Sequence, residues 1–428
     1  MSTFFMHVGQ CGIQVGEEFW KLAEIHCQSN INEGQPLEEP NIMFSGQGNP
    51  RCILVDAEPK VANKFQQSIS SINSGNVIRD QSGRGNNWAM GFSYRYNSEF
   101  FEQVQDSVRR ETERLDYFTT VVIMHSLAGG TGAGVGSALL QWLRQEFPKA
   151  WLTPVCLGPR LNGDTPLQNY NSCFTLQFLL EYADAIFYRN NADLMHLASR
   201  KSAFEDRQKQ RQKGIKPTFS ANGPVSVGKM NEILAADLAA YIFPTQRKGL
   251  YHGWNAGDTI PKVGIISDLK FLDVRSTFSM PPLKEKGGII LWQDIMKRYS
   301  KTFYGFPSEA KCFGAHIKMH GFNQSSDSKM KVSDIVSILP KSLKPYGWSY
   351  NEVEPSVEFS QTSQGTGICA CSNQSICVQD FSHLLSRAEK MFEVSAYFHW
   401  YENFGLEEKD FTAAFDRIYS YLEAMESR

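Results

Sequence analysis

The chain has no run of about 18 or more apolar residues, the length a membrane-spanning helix needs, so the sequence offers no segment to cross a bilayer. An excess of one charge is missing as well. Lys and Arg number 43 against 45 Asp and Glu, a formal net charge of -2, which leaves no global electrostatic reason to expect nucleic acid or an anionic membrane as a partner. Met1 to His7 lacks the basic flank and apolar core of a secretory signal, which points to the cytosol. The nine cysteines are odd in number and scattered through 428 residues, an arrangement that argues for reduced thiols over a disulfide frame. Zinc-site spacing is absent too: Cys369, Cys371 and Cys377 fall in a strand-like stretch and read as packing residues. What the chain does have is 42% hydrophobic and 12% aromatic content, over a length sufficient for two or three domains with a sizeable core.

Glycine is concentrated in one stretch. Ala128 to Ser137 spells AGGTGAGVGS, with Gly129, Gly130, Gly132, Gly134 and Gly136 around Thr131. Thr119 to Met124 before it has the β-branched content of a buried strand, and Ala138 to Phe147 after it has helical spacing. A turn joining a strand's carboxyl end to a helix's amino end offers free N–H groups and the helix dipole to an anion, and glycine lets those amides approach phosphate oxygens. Two familiar phosphate loops do not fit. Gly134 is followed by Val135 and Gly136 where a P-loop requires Lys and then Ser or Thr, and Trp151 to Leu157 carries no acid where a dinucleotide fingerprint wants one. A glycine-rich turn that binds nothing is the alternative at this point.

The same arrangement recurs. Thr3 to Val8 alternates as a strand, GQCG at Gly9 to Gly12 follows as a second glycine turn, and Ile13 to His26 has a helical pattern. Gln10 and Gln14 can bond phosphate oxygens or ribose, while Cys11 either faces a ligand or simply packs. Glu33 to Arg51 is polar and turn-rich and reads as a surface loop. Cys52 to Val55 is a short buried strand ending in Asp56 and Glu58, which either hold Mg²⁺ through water beside a triphosphate or form an exposed turn before Pro59. In the small-residue loop Ser82 to Gly91, Arg84, Gly85 and Asn86 can face a terminal phosphate, with Arg84 supplying charge. Phe100 to Leu115 reads as an amphipathic helix, and Gly163, Asp164 and Thr165 turn into a helix through Leu180. Asp184 to Tyr188 is a further strand, and Asn191 behind it either pairs with a guanine edge or caps the next helix. Repeated strand-then-helix order predicts a doubly wound α/β domain.

Lys201 to Lys216 is highly charged and reads as a solvated helix face or linker. Val227 to Phe243 has the best helical spacing in the chain, and Pro244 stops it. From Lys262 to Cys377 the pattern becomes β-rich with intervening helices, in KVGIIS, GGIILWQDIMKRYS, KCFGAHIKMH, KVSDIVSILP and GICACSNQSICV, which predicts a second α/β unit. Phe381 to Asn403 and Glu407 to Glu426 read as two amphipathic helices.

Six segments, taken in chain order, carry a family resemblance. Gly9 to Gly12 with Gln14, LVDAEP at Leu54 to Pro59, GRGNNWAMG at Gly83 to Gly91, HSLAGGTGAGVGS at His125 to Ser137, QNYN at Gln168 to Asn171 and AYFHWYENFG at Ala396 to Gly405 together resemble tubulins over nearly the whole length. DAEPKV, SGRGNNWA and FGLEEKDF are more similar to the divergent zeta and delta members than to alpha, beta or gamma, with the zeta kind favoured. The resemblance implies a tubulin/FtsZ-like fold with a GTP-binding domain on a doubly wound parallel sheet at residues 1–226 and a long core helix at 227–243. A smaller intermediate α/β domain at 244–378 and a C-terminal helical hairpin at 379–428 complete it. It also implies GTP or GDP with Mg²⁺. Gln10, Cys11 and Gln14 would contact the diphosphate side and the base, Asp56 and Glu58 the magnesium and its waters, and Arg84, Gly85 and Asn86 the γ-phosphate. Ser126, Gly129, Gly130, Thr131 and Gly132 would wrap the phosphates, Asp164 would lie near the ribose, and Asn191 with Asn231 would read guanine.

Three departures shape the functional expectation. Val227 stands where tubulins usually stack an aromatic ring on guanine, which implies weaker stacking. The stretch Gln246 to Asp258 has no acid before Asp258, where relatives place the acidic residue that completes the next subunit's site, so hydrolysis in trans is expected to be weak. The sequence ends at Glu426, Ser427 and Arg428 without a long acidic tail, so tail-dependent motors and modifications are expected to lose their usual target. The resemblance thus implies a GTP-binding structural tubulin of the cytoplasm and cytoskeleton, at centrioles or basal bodies. Its partners would be other tubulin-family subunits, centriolar proteins or itself, with no nucleic acid and no membrane. An active GTPase co-assembling with other tubulins, and a scaffold with a vacant or GDP-locked pocket, are the alternatives.

Overall fold

Runs such as Cys52–Val55 and Val121–Met124 interpose no polar residue between their apolar ones, so they are stable only where helices cover both faces of a sheet. The computed structural model places them that way. It describes residues 2–32, 43–96, 99–115, 117–160, 163, 165–212, 225–247, 250–252, 254–263, 269–277, 292–303, 310–321, 356–360 and 366–427. The first half comprises β1 (Ser2–Val8), α1 (Gly9–Asn32), β2 (Cys52–Asp56), α2 (Pro59–Ser68), β3 (Val77–Arg79), α3 (Trp88–Phe92), α4 (Glu99–Glu113), β4 (Phe118–Ser126), α5 (Gly136–Glu146), β5 (Trp151–Gly158), α6 (Gln168–Tyr182), β6 (Ile186–Asn190) and α7 (Asn191–Gln212). Next come α8 (Val227–Ile242), the hairpin β7 (Thr245–Arg247) and β8 (Leu250–His252), α9 (Ala256–Thr259), β9 (Phe271–Ser276), α10 (Trp292–Ser300), β10 (Cys312–His320), β11 (Ser356–Ser360) and β12 (Gly367–Gln374). Three helices follow: α11 (Cys377–Glu393), α12 (His399–Glu402) and α13 (Glu408–Glu426).

Successive strand residues feed two separate cores. Phe4, Met6, Ile53, Val55, Val121 and Ile123 join the core beneath α4 to α6 and the C-terminal helices. Phe5, Cys52, Leu54, Val122 and Met124 join the core beneath α1, α2 and α8. The alternation is the two-residue period of a strand, with both faces buried.

Among the described residues the main sheet has the order β11-β10-β12-β9-β6-β5-β4-β1-β2-β3. From β3 to β9 every neighbouring pair is parallel, whereas β12 runs antiparallel to both β9 and β10. The strand order reverses between β1 and β4, which pair directly with Phe5 beside Val122. In an open α/β sheet, the crevice outside the carboxyl ends at such a reversal is where ligands bind. The amino end of α1, directly after β1, and the glycine stretch after β4 both leave the sheet there. Pairing of β6 with β9, through Ile186 to Phe271 and Phe187 to Leu272, carries the same sheet past residue 244.

α8 occupies the stretch whose spacing predicts a helix and is capped by the Ser226 hydroxyl, which accepts from the Lys229 N–H. Ten of its sixteen residues are buried. At its carboxyl end Lys318 donates to the Tyr241 carbonyl at 2.7 Å and His320 to the Ala240 carbonyl at 2.8 Å, where helix carbonyls lack partners. Midway along, Asp237 joins a buried charge network. Arg189 of β6 donates to Asp237 at 2.7 Å and to Asp273 of β9 at 2.6 Å, while Arg275 of β9 pairs with Asp273 at 2.7 Å and with Asp193 of α7 at 2.9 Å.

Several expectations are revised. GQCG is the first turn of α1, so no separate glycine turn precedes that helix. The glycine stretch is itself helical: Gly130–Val135 winds as a π-helix leading into α5. Phe381 to Asn403 is two helices, not one, with Ser395 and Tyr397 at φ 51° and 61° between them. The cause is packing. Phe392, Phe398 and Tyr401 all contact Phe411 of α13, and residues six and nine positions apart cannot share one face of a continuous helix. The described part of KVGIIS, Lys262 and Val263, lies in a 3₁₀ turn, and β9 follows it unforeseen. GICACSNQSICV ends as β12 at Gln374, and Cys377 already opens α11. KVSDIVSILP, and the parts of the polar loop at 33–42 and of the charged stretch at 213–216, lie outside the described residues.

Candidate functional site

The amino end of α1 meets the turn after β4 because both leave adjacent strands. Gly9 turns the chain at φ 71°, and a Cβ there would fall 2.7 Å from the Gly132 nitrogen. Only glycine permits that approach. The first turn of α1 carries no acidic residue, so the N–H groups that lack intrahelical partners face the crevice uncompensated.

In the second turn the glycines divide into two groups. Gly129, with extended backbone, leads into Gly130, Thr131 and Gly132, and these four line a cavity. Gly134 and Gly136 do not line it. A Cβ on Gly134 would fall 2.2 Å from the Trp88 carbonyl oxygen, and one on Gly136 would meet the His125 ring at 3.3 Å. Ser137 likewise serves packing, donating to the Ala133 carbonyl at 2.7 Å and accepting from the Trp88 indole at 3.0 Å. The first part of the glycine stretch therefore faces the cavity, while Gly134 and Ser137 seat α3 and Gly136 packs on His125 of β4.

The cavity measures about 540 Å³ and brings together nearly every residue singled out from sequence. Gln10, Cys11, Gln14, Asp56, Glu58, Arg84, Gly85, Asn86, Ser126, Gly129, Gly130, Thr131, Gly132, Asn191 and Asn231 all line it. Asp164 lies outside the described residues. Gly85 and Asn86 take φ 52° and 51°, a left-handed pair that curls their loop against Gly130, where a Cβ would meet the Arg84 carbonyl at 2.6 Å. The Arg84 guanidinium is held by Asp80 at 2.5 Å and lies over the Tyr94 ring at 3.4 Å, so its charge is shared before any ligand arrives. Asn191 is the first residue of α7; the cap is its neighbour Asn190, whose side chain accepts from the Ala192 N–H at 2.7 Å. That leaves the Asn191 amide for the cavity.

Asp56 is buried, its Oδ1 accepts from the Glu58 N–H at 3.4 Å, and its Oδ2 has no partner among the described residues. Burial pushes its carboxyl up to about 6. A buried carboxylate oxygen without a partner, beside the exposed carboxylate of Glu58, fits a hard cation that takes one or two protein carboxylates and keeps its waters, as Mg²⁺ does. Groups of three or more His, Cys, Asp or Glu side chains that could hold a metal are absent among the described residues. Burial pushes the Cys11 thiol up to about 12 and the His125 imidazole down to about 4, so both stay neutral and neither is primed as nucleophile or base.

Sequence reasoning missed part of the wall. Val61, Leu157, Met195, Val225 and Met230 line the cavity unforeseen; Val227, already singled out beside the base, lines it too and is 59% exposed. Met195 sits four residues after Asn191 on α7 and Met230 three residues after Val227 on α8, so helical spacing could have signalled both. Arg160, two residues past the end of β5 and on the ligand edge of the sheet, also lines it. Asn171 was quoted in a motif without a role. It is fully buried, and its amide donates to the Asn86 carbonyl at 2.6 Å and the Ala128 carbonyl at 2.8 Å, joining two cavity loops. In the Gln246 to Asp258 stretch, β7 and β8 form a hairpin, and exposed Asp258 accepts from the Asn255 amide at 3.2 Å.

Residues 2–199 match the model of the Tubulin/FtsZ family, GTPase domain. The chain is 28% identical to the tubulin beta chain of Aspergillus fumigatus, over 96% of this chain and 90% of that protein. It is 26% identical to the tubulin delta chain of Macaca fascicularis and 25% identical to that of Homo sapiens, over 98% of each chain in both cases. The family match spans the strands and turns that build the cavity from β1 to the first turns of α7, and it carries guanine-nucleotide binding as the property of that domain. Residues 2–199 thus carry the Tubulin/FtsZ GTPase domain, and similarity to tubulin beta and delta chains over nearly the full length marks the chain as a divergent relative of the tubulins.

Proposed function

We propose that this chain is a GTP-binding tubulin that acts through subunit association at centrioles or basal bodies, with little hydrolysis of its own. The observation that carries the nucleotide part is the convergence of the described candidate residues on one cavity at the carboxyl edge of the sheet. Amides of Gly129 to Gly132 and of the first turn of α1 bind the phosphates, with Thr131 and Ser126 hydroxyls beside them. Asp56 and Glu58 hold Mg²⁺, which neutralises phosphate charge when bound. Asn191 and Asn231 read the base edge with donors and acceptors, and Val225, Val227, Met195 and Met230 flank the base in place of a stacked ring. Asp164 is assigned to the ribose on the family resemblance alone.

The absence of any acid from Gln246 to Gly257 supports weak hydrolysis in a neighbouring subunit's site. Exposed apolar side chains from the end of α11 to just past α12, Val394, Tyr397, Trp400 and Phe404, support subunit association. The placement at centrioles or basal bodies rests on the resemblance to divergent tubulins.

The test is phosphate release from purified protein supplied with GTP and Mg²⁺, followed by recovery of the bound nucleotide. The expected outcome is retained guanine nucleotide with little free phosphate. Brisk turnover by the protein alone would establish a working GTPase and overturn the reading of the Gln246 to Asp258 stretch. Recovery of no nucleotide would favour the vacant scaffold.

A further inference from the structure

The amide of Asn171 is saturated by four partners from three different segments. Its nitrogen donates to the carbonyls of Asn86 at 2.6 Å and Ala128 at 2.8 Å, and its oxygen accepts from the Trp88 N–H at 2.8 Å and the Tyr401 hydroxyl at 2.7 Å. A side-chain amide has two donors and two acceptor sites, so none is left over. Asn86 carries the left-handed turn that faces the cavity, and Ala128 immediately precedes Gly129 to Gly132. The fourth partner comes from elsewhere. Tyr401 lies on α12, fully buried among Tyr170, Phe174 and Phe411. A second bond runs parallel to it, from the Asn87 amide to the Trp400 carbonyl at 3.0 Å.

We infer that Asn171 is the positioning residue for the phosphate end of the cavity, and that Tyr401 makes the C-terminal segment part of the same bracket. Asn171 cannot reach both loop carbonyls unless its amide plane is fixed, and Tyr401 together with the Trp88 N–H fixes it from the oxygen side. Loss of the Tyr401 hydroxyl frees one acceptor site, lets the amide rotate, and loosens the Asn86 turn and the Ala128 entry to the glycine turn together. The base end, carried by Asn191 on α7 and Asn231 on α8, has no bond to this bracket among the described residues. The phosphate part of the inference rests on the guanine-nucleotide reading above; the bracket itself does not.

Tyr401→Phe tests both parts with full-length protein. In nucleotide-stripped protein, hydrogen–deuterium exchange should quicken in peptides covering 84–90 and 127–133, far in sequence from the change. Displacement of fluorescent GTP and GDP analogues should then show GTP leaving about three- to tenfold faster, the range that one neutral hydrogen bond commands. GDP keeps the phosphates wrapped by the glycine turn and lacks only the one facing the Asn86 turn, so its release should quicken by a smaller factor than that of GTP, and the preference for guanine over adenine should hold. Asn171→Asp, which sets a carboxylate against two carbonyls, should produce the same pattern more strongly. Unchanged exchange at both loops in Tyr401→Phe would overturn the bracket. Faster exchange with equal acceleration of GTP and GDP release would overturn phosphate positioning and leave a merely structural bond. Wild-type protein that binds no guanine analogue would overturn the nucleotide reading and the positioning role with it, whereas the exchange arm would still decide the bracket.

Discussion

Replacing Arg189 by Met is the most informative single perturbation of the frame that holds the cavity. The guanidinium is 4% exposed, and it touches Asp237 at 2.7 Å, Asp273 at 2.6 Å and Asp193 at 3.3 Å. Methionine matches its bulk and removes its charge. Asp273 keeps Arg275, and Asp237 keeps the Ser276 N–H and hydroxyl, both at 2.8 Å, but the cluster loses one of its two arginines against three carboxylates. Stripping one partner from a buried ion pair costs about 3–5 kcal/mol, because the remaining charge stays out of water without compensation. Asp237→Asn removes the newly uncompensated charge while keeping an oxygen for Ser276, so the double variant Arg189→Met with Asp237→Asn should recover about 1–3 kcal/mol of that loss. Urea unfolding at fixed nucleotide and Mg²⁺ concentration measures the series. Arg109→Ala serves as the surface control: its contacts to Asp106 and Glu146 are 3.5 and 3.8 Å long and half exposed, so a change within about 0.5 kcal/mol is expected. An Arg189→Met protein as stable as the control, or a double variant no better than the single, would refute the reasoning.

Three other outcomes follow from the same geometry. Asp56→Asn should stabilise nucleotide-free protein at pH 7 by up to about 3 kcal/mol, since it removes a buried carboxylate whose ionisation is already opposed, and should abolish the dependence of nucleotide affinity on Mg²⁺; undiminished Mg²⁺ dependence would contradict it. Burial lowers His7 to about 3 and His26 and His125 to about 4, so each is neutral in the folded chain at a pH where the unfolded chain takes up a proton. Folded values below the unfolded value give stability that is full above about pH 6.5 and is lost as pH falls toward 4, or toward 3 for His7, up to about 3 kcal/mol each for His26 and His125 and about 5 kcal/mol for His7. The urea midpoint should therefore drop between pH 7 and pH 5, and less so in His26→Leu, whose ring nitrogens have no partner among the described residues; a flat profile would contradict this. Gly134→Ala should destabilise by about 1–3 kcal/mol or more, because its Cβ meets backbone at 2.2 and 2.7 Å on α3; near-wild-type stability would mean that α3 shifts freely.

The parts of the site written in contiguous residues were legible in the sequence. A glycine turn between an apolar strand and a helix, or an acid pair closing a strand, carries its chemistry in a few adjacent positions. Asn191 and Asn231 needed more, since only the packing of α7 against α8 brings them to one cavity. Arg84 shows the limit of local reading: its loop was placed correctly, but Asp80, one helical turn's spacing upstream, shares its charge. Asn171 and Arg189 were illegible because their partners lie 230 and 84 positions away respectively, and no pattern along the chain encodes such a bond. The break between α11 and α12 was missed for the same reason, since Phe411 dictates it from a different helix. The continuity of the sheet from β6 to β9 likewise depends on a pairing across most of a hundred residues.

The most direct measurement is the identity of what the purified protein carries. Protein is denatured, removed by filtration, and the supernatant resolved by anion-exchange chromatography against guanine and adenine nucleotide standards. The expected result is guanine nucleotide, GTP or GDP, approaching one per chain. A blank supernatant, or adenine nucleotide in its place, would contradict the assignment of the cavity between α1, the glycine turn and α8.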